Sequence, residues 1–387
     1  MYRILSASKD TYITNKIINN SFRATDANVG NAATLDIYKL YGESTSGSDT
    51  TPIELSRGLI KFDMSPLRRL MNKSLDINNS SFECILKLSD IYGGQTTPSN
   101  FKIIVFPLAR KFDEGVGRDI IRYSDLTSAN FITSSVTNGI PVIWAKRGAM
   151  SSGSLGTDGL DVYVSGTLST GLTNLSSAQM FRTGKEDLEV DITKYVSGVL
   201  SSQITDHGLL FALSGAYEKN DKTYFVKRFA SRQSPDFSKI PKIIVKYNDS
   251  IQDNHRNFIF NESGSLFLNN FYRGQPANIT GLNTQVIEGH NCMKLKLASG
   301  SFSKIVNVSQ FSYSNSAPYT FLTGVYSASL NVSEYETLLR SEIISAASAT
   351  FVETWYSNDG STGFLTSSLI INSNERTSYF NTPNRIL

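Results

Sequence analysis

The chain has 387 residues, more than one hydrophobic core usually organises, so two domains are expected. Apolar residues at 40% suffice for sizeable cores, while charged residues at 18% fall below the roughly 25% of ordinary soluble domains. The formal net charge of +3 is scattered, and its densest basic stretches, Arg68-Arg69 and Lys227-Arg228, are too short for a basic patch, so nothing speaks for nucleic acid; no run approaches the ~20 apolar residues of a membrane span.

Short runs rich in β-branched and aromatic residues recur between Gly, Asn, Ser and Asp clusters, the pattern of sandwich strands. In chain order they fall at residues 12–14, 34–38, 58–62, 84–88, 101–106, 161–164, 209–213 and 242–247. Many alternate apolar with polar, so one face meets a core and the other meets solvent or a partner. Helical pattern is scarce. Ser65 and Pro66 open one or two turns as N-cap and first helical residue. Asp191 caps a longer helix in which Ile192, Tyr195, Val196, Val199 and Leu200 share a face and cover an open end of the sandwich. The Ser/Gly stretch 148–173 predicts a large loop or an irregular hairpin.

A polar linker at 248–257 marks the boundary between domains 1–248 and 249–387. Beyond it the strand pattern returns at 257–260, 294–297, 319–322, 324–330, 350–356 and 364–371. Ser333 to Glu336 fits a capping box ahead of Leu338, Leu339, Ile343 and Ile344. The fold class expected is all-β with few short helices.

Residues that carry chemistry are sparse. Cys84 and Cys292 lie far apart and read as two buried free thiols rather than a disulfide or a zinc site. His207 and His290 look like turn residues and His255 falls in the linker, with no HxxxH or HExxH spacing and no helpers nearby. Acids such as Asp113-Glu114 and Glu186-Asp187 read as solvated loop charges, so no carboxylate pair for hydrolysis is evident. Neither a Walker lysine nor a GxSxG elbow is present. Asp158-Gly159-Leu160-Asp161 reads as a turn, or else contributes to a structural calcium site; no other cofactor is expected. Trp144 is most simply a core or core-edge residue, with an exposed sugar platform or interface aromatic as the alternative; Trp355 reads as the core anchor of the second domain. Tyr41, Tyr92 and Tyr272, near turns, suit interfaces. No enzyme is expected.

The blocks Ser8-Lys9-Asp10-Thr11-Tyr12-Ile13, Asn28-Val29-Gly30, Leu35-Asp36-Ile37 and Arg57-Gly58-Leu59-Ile60-Lys61-Phe62-Asp63 are followed by 188–196, Phe229-Ala230-Ser231-Arg232 and 241–247. In that order they resemble the DNRLRE-type jelly roll, a family related to carbohydrate-binding modules, over nearly all of 1–248. The resemblance implies an N-terminal jelly-roll β-sandwich, and the half-dozen strands with one short helix beyond the linker make a smaller β-sandwich domain. The whole chain also resembles virion structural proteins of tailed phages, marine cyanobacterial phages in particular, through this architecture, 324–329 and 355–360. That resemblance implies a virion location, other virion proteins as partners and multiple symmetric copies; the scattered charge and the lack of a long apolar run leave neither nucleic acid nor membrane as an expected partner. The alternative it leaves open is a carbohydrate-binding or adhesion module that recognises host surface glycans. Met1-Tyr2-Arg3-Ile4-Leu5 lacks the features of a signal peptide, which fits a protein that acts where it is made or leaves by lysis. The low charge fits wide contact with other proteins, since few charges are desolvated on docking, and fits a secreted binding module equally.

Overall fold

Alternating apolar and polar side chains run through strand after strand, and the fold is all-β, with three short helices among the described residues. The computed structural model describes residues 1–42, 53–71, 74–91, 99–122, 127–168, 171–255, 258, 261–281, 285–313, 321–333, 336–339, 348–357 and 376–379. The chain divides into two units, Met1–Arg69 with Ile77–Asn248, and Leu70–Asp76 with Asp249–Leu387. The expected strand at 364–371, Tyr92 and most of the capping-box helix lie outside the described residues.

The first unit is a jelly-roll-like sandwich built on one ten-stranded sheet that nearly closes on itself. Its strands are β1 (Tyr2–Thr14), β2 (Thr34–Tyr41), β3 (Ile53–Phe62), β4 (Glu83–Leu88) and β5 (Phe101–Pro107). They continue with β6 (Ser177–Phe181), β7 (Leu188–Asp191), β8 (Leu209–Leu213), β9 (Tyr224–Ala230) and β10 (Lys242–Lys246). The order is β6-β5-β8-β3-β1-β10-β4-β7, and β2 bridges β3 to β9. β1 makes the corner between the layers. Its first half pairs with β10, its second half with β3, and the register shifts between Ala7 and Lys9. An irregularity there lets one strand bend from one layer into the other.

Phe101 stacks on Phe181 at 4.9 Å between centroids, and Phe211 meets Phe229 edge-on at 6.1 Å, in the inner core. Gly58 sits directly opposite Phe211, and a Cβ there would come within 2.1 Å of the ring, so no larger residue fits. Lys227, 1% exposed, places its ammonium 5.1 Å from the centroids of both Phe181 and Phe229. It bonds Asp90 at 2.6 Å and the Gly184 and Glu186 carbonyls, so the buried charge is matched.

A second apolar cluster lies on the opposite face of the same strands. Ile13, Leu59, Leu210 and Ala212 alternate away from Phe211 and pack against Leu108, Phe112, Trp144 and Val162. The excursion between β5 and β6 therefore folds back over the sheet. Its hairpin Thr133–Thr137/Ile140–Ile143 turns through Asn138 and Gly139, both at positive φ, the Asn-Gly turn whose twist matches the strands. Trp144 follows directly, 2% exposed, with Nε1 donating to the Asn130 carbonyl at 2.8 Å. The platform expectation for Trp144 is corrected here, because neither face of its ring is open to a sugar or a partner. The stretch expected as a loop or irregular hairpin carries the hairpin Val162–Leu168/Gly171–Asn174, with Ser152–Ser154 pairing alongside in parallel.

Helix α1 (Ser65–Met71) begins where Asp63 Oδ1 accepts the Ser65 amide at 2.9 Å, so Asp63 caps rather than Ser65. Helix α2 (Thr193–Leu200) starts with Asp191 accepting the Thr193 amide at 2.7 Å and buries Tyr195, Val196, Val199 and Leu200. Helix α3 (Gly215–Lys219) has no counterpart in the sequence pattern because it is little more than one turn.

The second unit is one six-stranded antiparallel sheet that curls over its own core. Its strands are β11 (Ser263–Asn269), β12 (Met293–Ser299), β13 (Phe302–Ser312), β14 (Phe321–Asn331), β15 (Ser348–Ser357) and β16 (Arg376–Tyr379), in the order β11-β14-β13-β12-β15-β16. β13 pairs with β12 through Val308 and with β14 from Ser309 onward, so this strand turns the corner. Gly324, at φ +73°, keeps β14 continuous where two separate strands were expected; a Cβ there would lie 2.6 Å from the Asn270 carbonyl oxygen. Trp355 is 1% exposed in the core of this sheet with Leu266, Leu295, Tyr326 and Phe351. Among the described residues no helix is long and apolar enough to cross a membrane.

Candidate functional site

The layer β1-β10-β4-β7 turns Leu5, Ile243, Val245, Cys84, Leu86, Leu88, Leu188 and Val190 inward. By the same alternation it turns a complete row outward. Ile4 pairs with Ile244 and Ile244 with Ile85, which makes a three-strand isoleucine stripe whose first member is 60% exposed. Tyr2, Lys246 and Glu83 form the row on one side of it, with Lys246 Nζ 3.6 Å from Glu83. Ser6, Lys242, Lys87 and Glu189 form the row on the other side, where Lys87 is ion-paired to Glu189 and to Asp187 at 3.4 Å. The bond that Lys87 donates to Glu189 is the main cause of its raised pKa. An apolar stripe flanked by ion-paired side chains thus lies on the outer side of a sheet whose inner side is core.

In the second unit Phe271–Tyr272 pairs with Gln275–Pro276 around Arg273 and Gly274, both at positive φ. The tight turn leaves Phe271 and Tyr272 63% and 64% exposed, with the Arg273 guanidinium 5.2 Å from the Tyr272 ring centroid. Tyr272 is thus an exposed aromatic near a turn, as expected; Tyr41 is only partly so, with Lys39 Nζ 5.3 Å from its ring centroid.

Three residues, Asp161, Glu186 and His255, lie differently from their sequence reading. Asp161 is fully buried, and its carboxylate accepts the amides of Ala145, Lys146 and Ser151 with Arg110 3.3 Å away. Its oxygens are taken up by loop amides and Arg110, and among the described residues no group of three or more His, Cys, Asp or Glu could hold a metal. Glu186 is no solvated acid either. Burial pushes its carboxyl upward, but the Thr183 and Arg182 amides and the Thr183 hydroxyl outweigh this and hold it at about 2. Cys84 is buried and Cys292 half-buried, both free, and burial raises both thiols. His255 does have partners. Its Nδ1 meets Asp253 and its Nε2 lies 3.0 Å from Glu353 Oε2, which also accepts Trp355 Nε1 at 3.2 Å. The segment read as a free linker is therefore tied down within the second unit, where Asn254 and Ser265 also exchange two bonds of 2.8 Å. His290 is exposed and meets Phe321 edge-on, and burial lowers the half-buried His207.

The strongest acid cluster was not anticipated. Asp10 shares the inner face with Tyr12, is fully buried, and accepts the Arg232 amide through Oδ2 at 2.6 Å. Its Oδ1 has no hydrogen-bond partner. Glu114 accepts the Asp10 amide at 2.7 Å and both arms of the Arg232 guanidinium, at 2.5 and 2.8 Å. Asn28 completes the knot by donating to the Glu114 and Ala129 carbonyls and accepting from Gly30 and Gly117. Burial is the main cause that raises the Asp10 carboxyl from 3.8 to about 7, opposed by the Arg232 amide and reinforced by the Glu114 charge. A perturbed acid beside an ionised one has the makings of a general acid. This one is sealed from solvent, so a substrate cannot reach it.

Compared with models of known protein families and with curated proteins, the chain matches none.

Proposed function

We propose that the protein is a non-enzymatic structural component of a tailed-phage particle that acts by docking against neighbouring chains. The observation that carries the docking part is the Ile4–Ile244–Ile85 stripe, an outward apolar row on a sheet whose other face is closed core. Burying such a row contributes about 25 cal/mol per Å² of apolar surface, and a rigid sheet loses little entropy in doing so. The particle itself is supported by the resemblance of the chain to virion proteins. Non-catalytic action is supported by Asp10, Asp161 and Glu114, each engaged by amides or a guanidinium, the first two fully buried. Ile4→Glu with Ile244→Glu should leave the fold intact, because both side chains point outward, and should cut incorporation into particles at least about tenfold. Particles carrying the normal amount of the doubly substituted chain would remove this face from the proposal.

A second reading, adhesion to surface glycans, is favoured by the exposed Phe271–Tyr272 hairpin instead of Trp144. On this reading binding on a glycan array disappears in Tyr272→Ala; an array without signal for the unaltered chain ends it.

A further inference from the structure

Beside the Trp144 cluster the first unit holds a pocket of about 720 Å³. It is a half-open recess lined by the outer face of the sheet, the excursion and α3, of a size that suits a small molecule. Its walls are apolar, with Leu55, Phe106, Leu210 and Ala212 from three neighbouring strands. A volume in the range of roughly 300 to 1,000 Å³, apolar walls and a few placed polar groups are the marks of ligand sites.

The polar groups are unevenly charged. Glu218 is the one carboxylate among the described residues that line the pocket, and Arg57 neutralises it through a forked pair, Nε to Oε1 at 2.9 Å and Nη2 to Oε2. Arg57 Nη1 is turned to the Gly148 and Ala149 carbonyls at 2.9 and 3.1 Å. Lys146, Arg147 and Lys219 also line the pocket, are exposed, and take part in no ion pair among the described residues. Apolar walls call for an apolar body, and three uncompensated cations call for an anionic head.

We propose that this pocket binds a small amphipathic anion, an apolar chain or ring that ends in a carboxylate. The body lies against Leu210 and Ala212 and the head meets Lys146, Arg147 and Lys219. The site is separate from the docking stripe and uses none of its residues.

Titration calorimetry of the full-length protein with dodecanoate, below the concentration at which it forms micelles, tests this. Saturable binding at one site per chain is expected, at least about tenfold tighter than dodecyltrimethylammonium or dodecyl maltoside. Val164→Trp and Met150→Trp, at two half-buried lining positions, should each abolish it. The triple variant Lys146→Glu, Arg147→Glu, Lys219→Glu should weaken it about tenfold or more, and its exposed positions keep the test decisive should either tryptophan variant fail to fold. Absence of saturable binding, equal affinity for the cationic amphiphile, or binding untouched by all of these substitutions would overturn the assignment. So would capture of an acidic peptide in place of dodecanoate, which would make the pocket a protein-docking site.

Discussion

Asp10→Asn is expected to flatten the pH dependence of stability between about pH 4 and pH 8. The Asp10 carboxyl is buried on the inner face of β1, and burial, reinforced by the Glu114 charge and only partly offset by the Arg232 amide, holds it at about 7 in the folded chain against 3.8 ordinarily. The folded state thus keeps a proton that the unfolded chain has already released. The stabilising contribution is complete below about pH 4 and is lost as pH rises through about 7. A displacement from 3.8 to about 7 corresponds to about 4 kcal/mol over that window. Asn cannot titrate, and its side-chain oxygen can still accept the Arg232 amide. Urea unfolding at pH 5 and pH 8 should show the variant gaining on the unaltered chain by a few kcal/mol as pH rises. A constant difference between the two proteins would mean that Asp10 is not the titrating group.

Arg57→Met is expected to destabilise the first unit by about 3–5 kcal/mol, because it strands Glu218, 8% exposed, without its counter-ion. It also removes the two bonds that hold the excursion to the sheet through the Gly148 and Ala149 carbonyls. The double variant Arg57→Met/Glu218→Met should recover most of the loss, since apolar residues of similar volume replace a buried ion pair at little cost. A residue of about 1–2 kcal/mol should remain for the two carbonyls left without their donor. A double-mutant cycle measures both numbers. A single variant costing under about 1 kcal/mol, or a double variant worse than the single, would contradict the pairing.

These two predictions rest on contacts that no local pattern reveals. Glu218 stands 161 positions from Arg57, and Arg232 stands 118 from Glu114 and 222 from Asp10. The residues of the knot fall inside blocks that were recognisable singly, Ser8-Lys9-Asp10, Asn28-Val29-Gly30 and Ser231-Arg232, but their convergence is a property of the closed sheet. What periodicity shows is a strand and its faces. Lys294 to Leu297 alternates cleanly, and Cys84 to Leu88 and Lys242 to Tyr247 are short runs rich in apolar and β-branched residues, so the β class was legible. β13 escaped notice because Gln310, polar yet 4% exposed, breaks the alternation by turning inward to the Gly289 amide and the Leu322 carbonyl. Trp144 was open to two readings because nothing local says that the chain after Pro107 folds back over the outer face of the sheet. The isoleucine stripe was hidden for a related reason. Ile4, Ile85 and Ile244 are unremarkable singly and become a surface only through the register of three strands.

The central claim, that this chain docks by its outer sheet face within a particle, is tested most directly by imaging purified phage particles at side-chain resolution. The account predicts the chain in multiple symmetric copies, with Ile4, Ile85 and Ile244 covered by a neighbouring protein. Particles lacking the chain while it accumulates free in the infected cell would contradict it, as would a bound chain whose isoleucine row faces solvent.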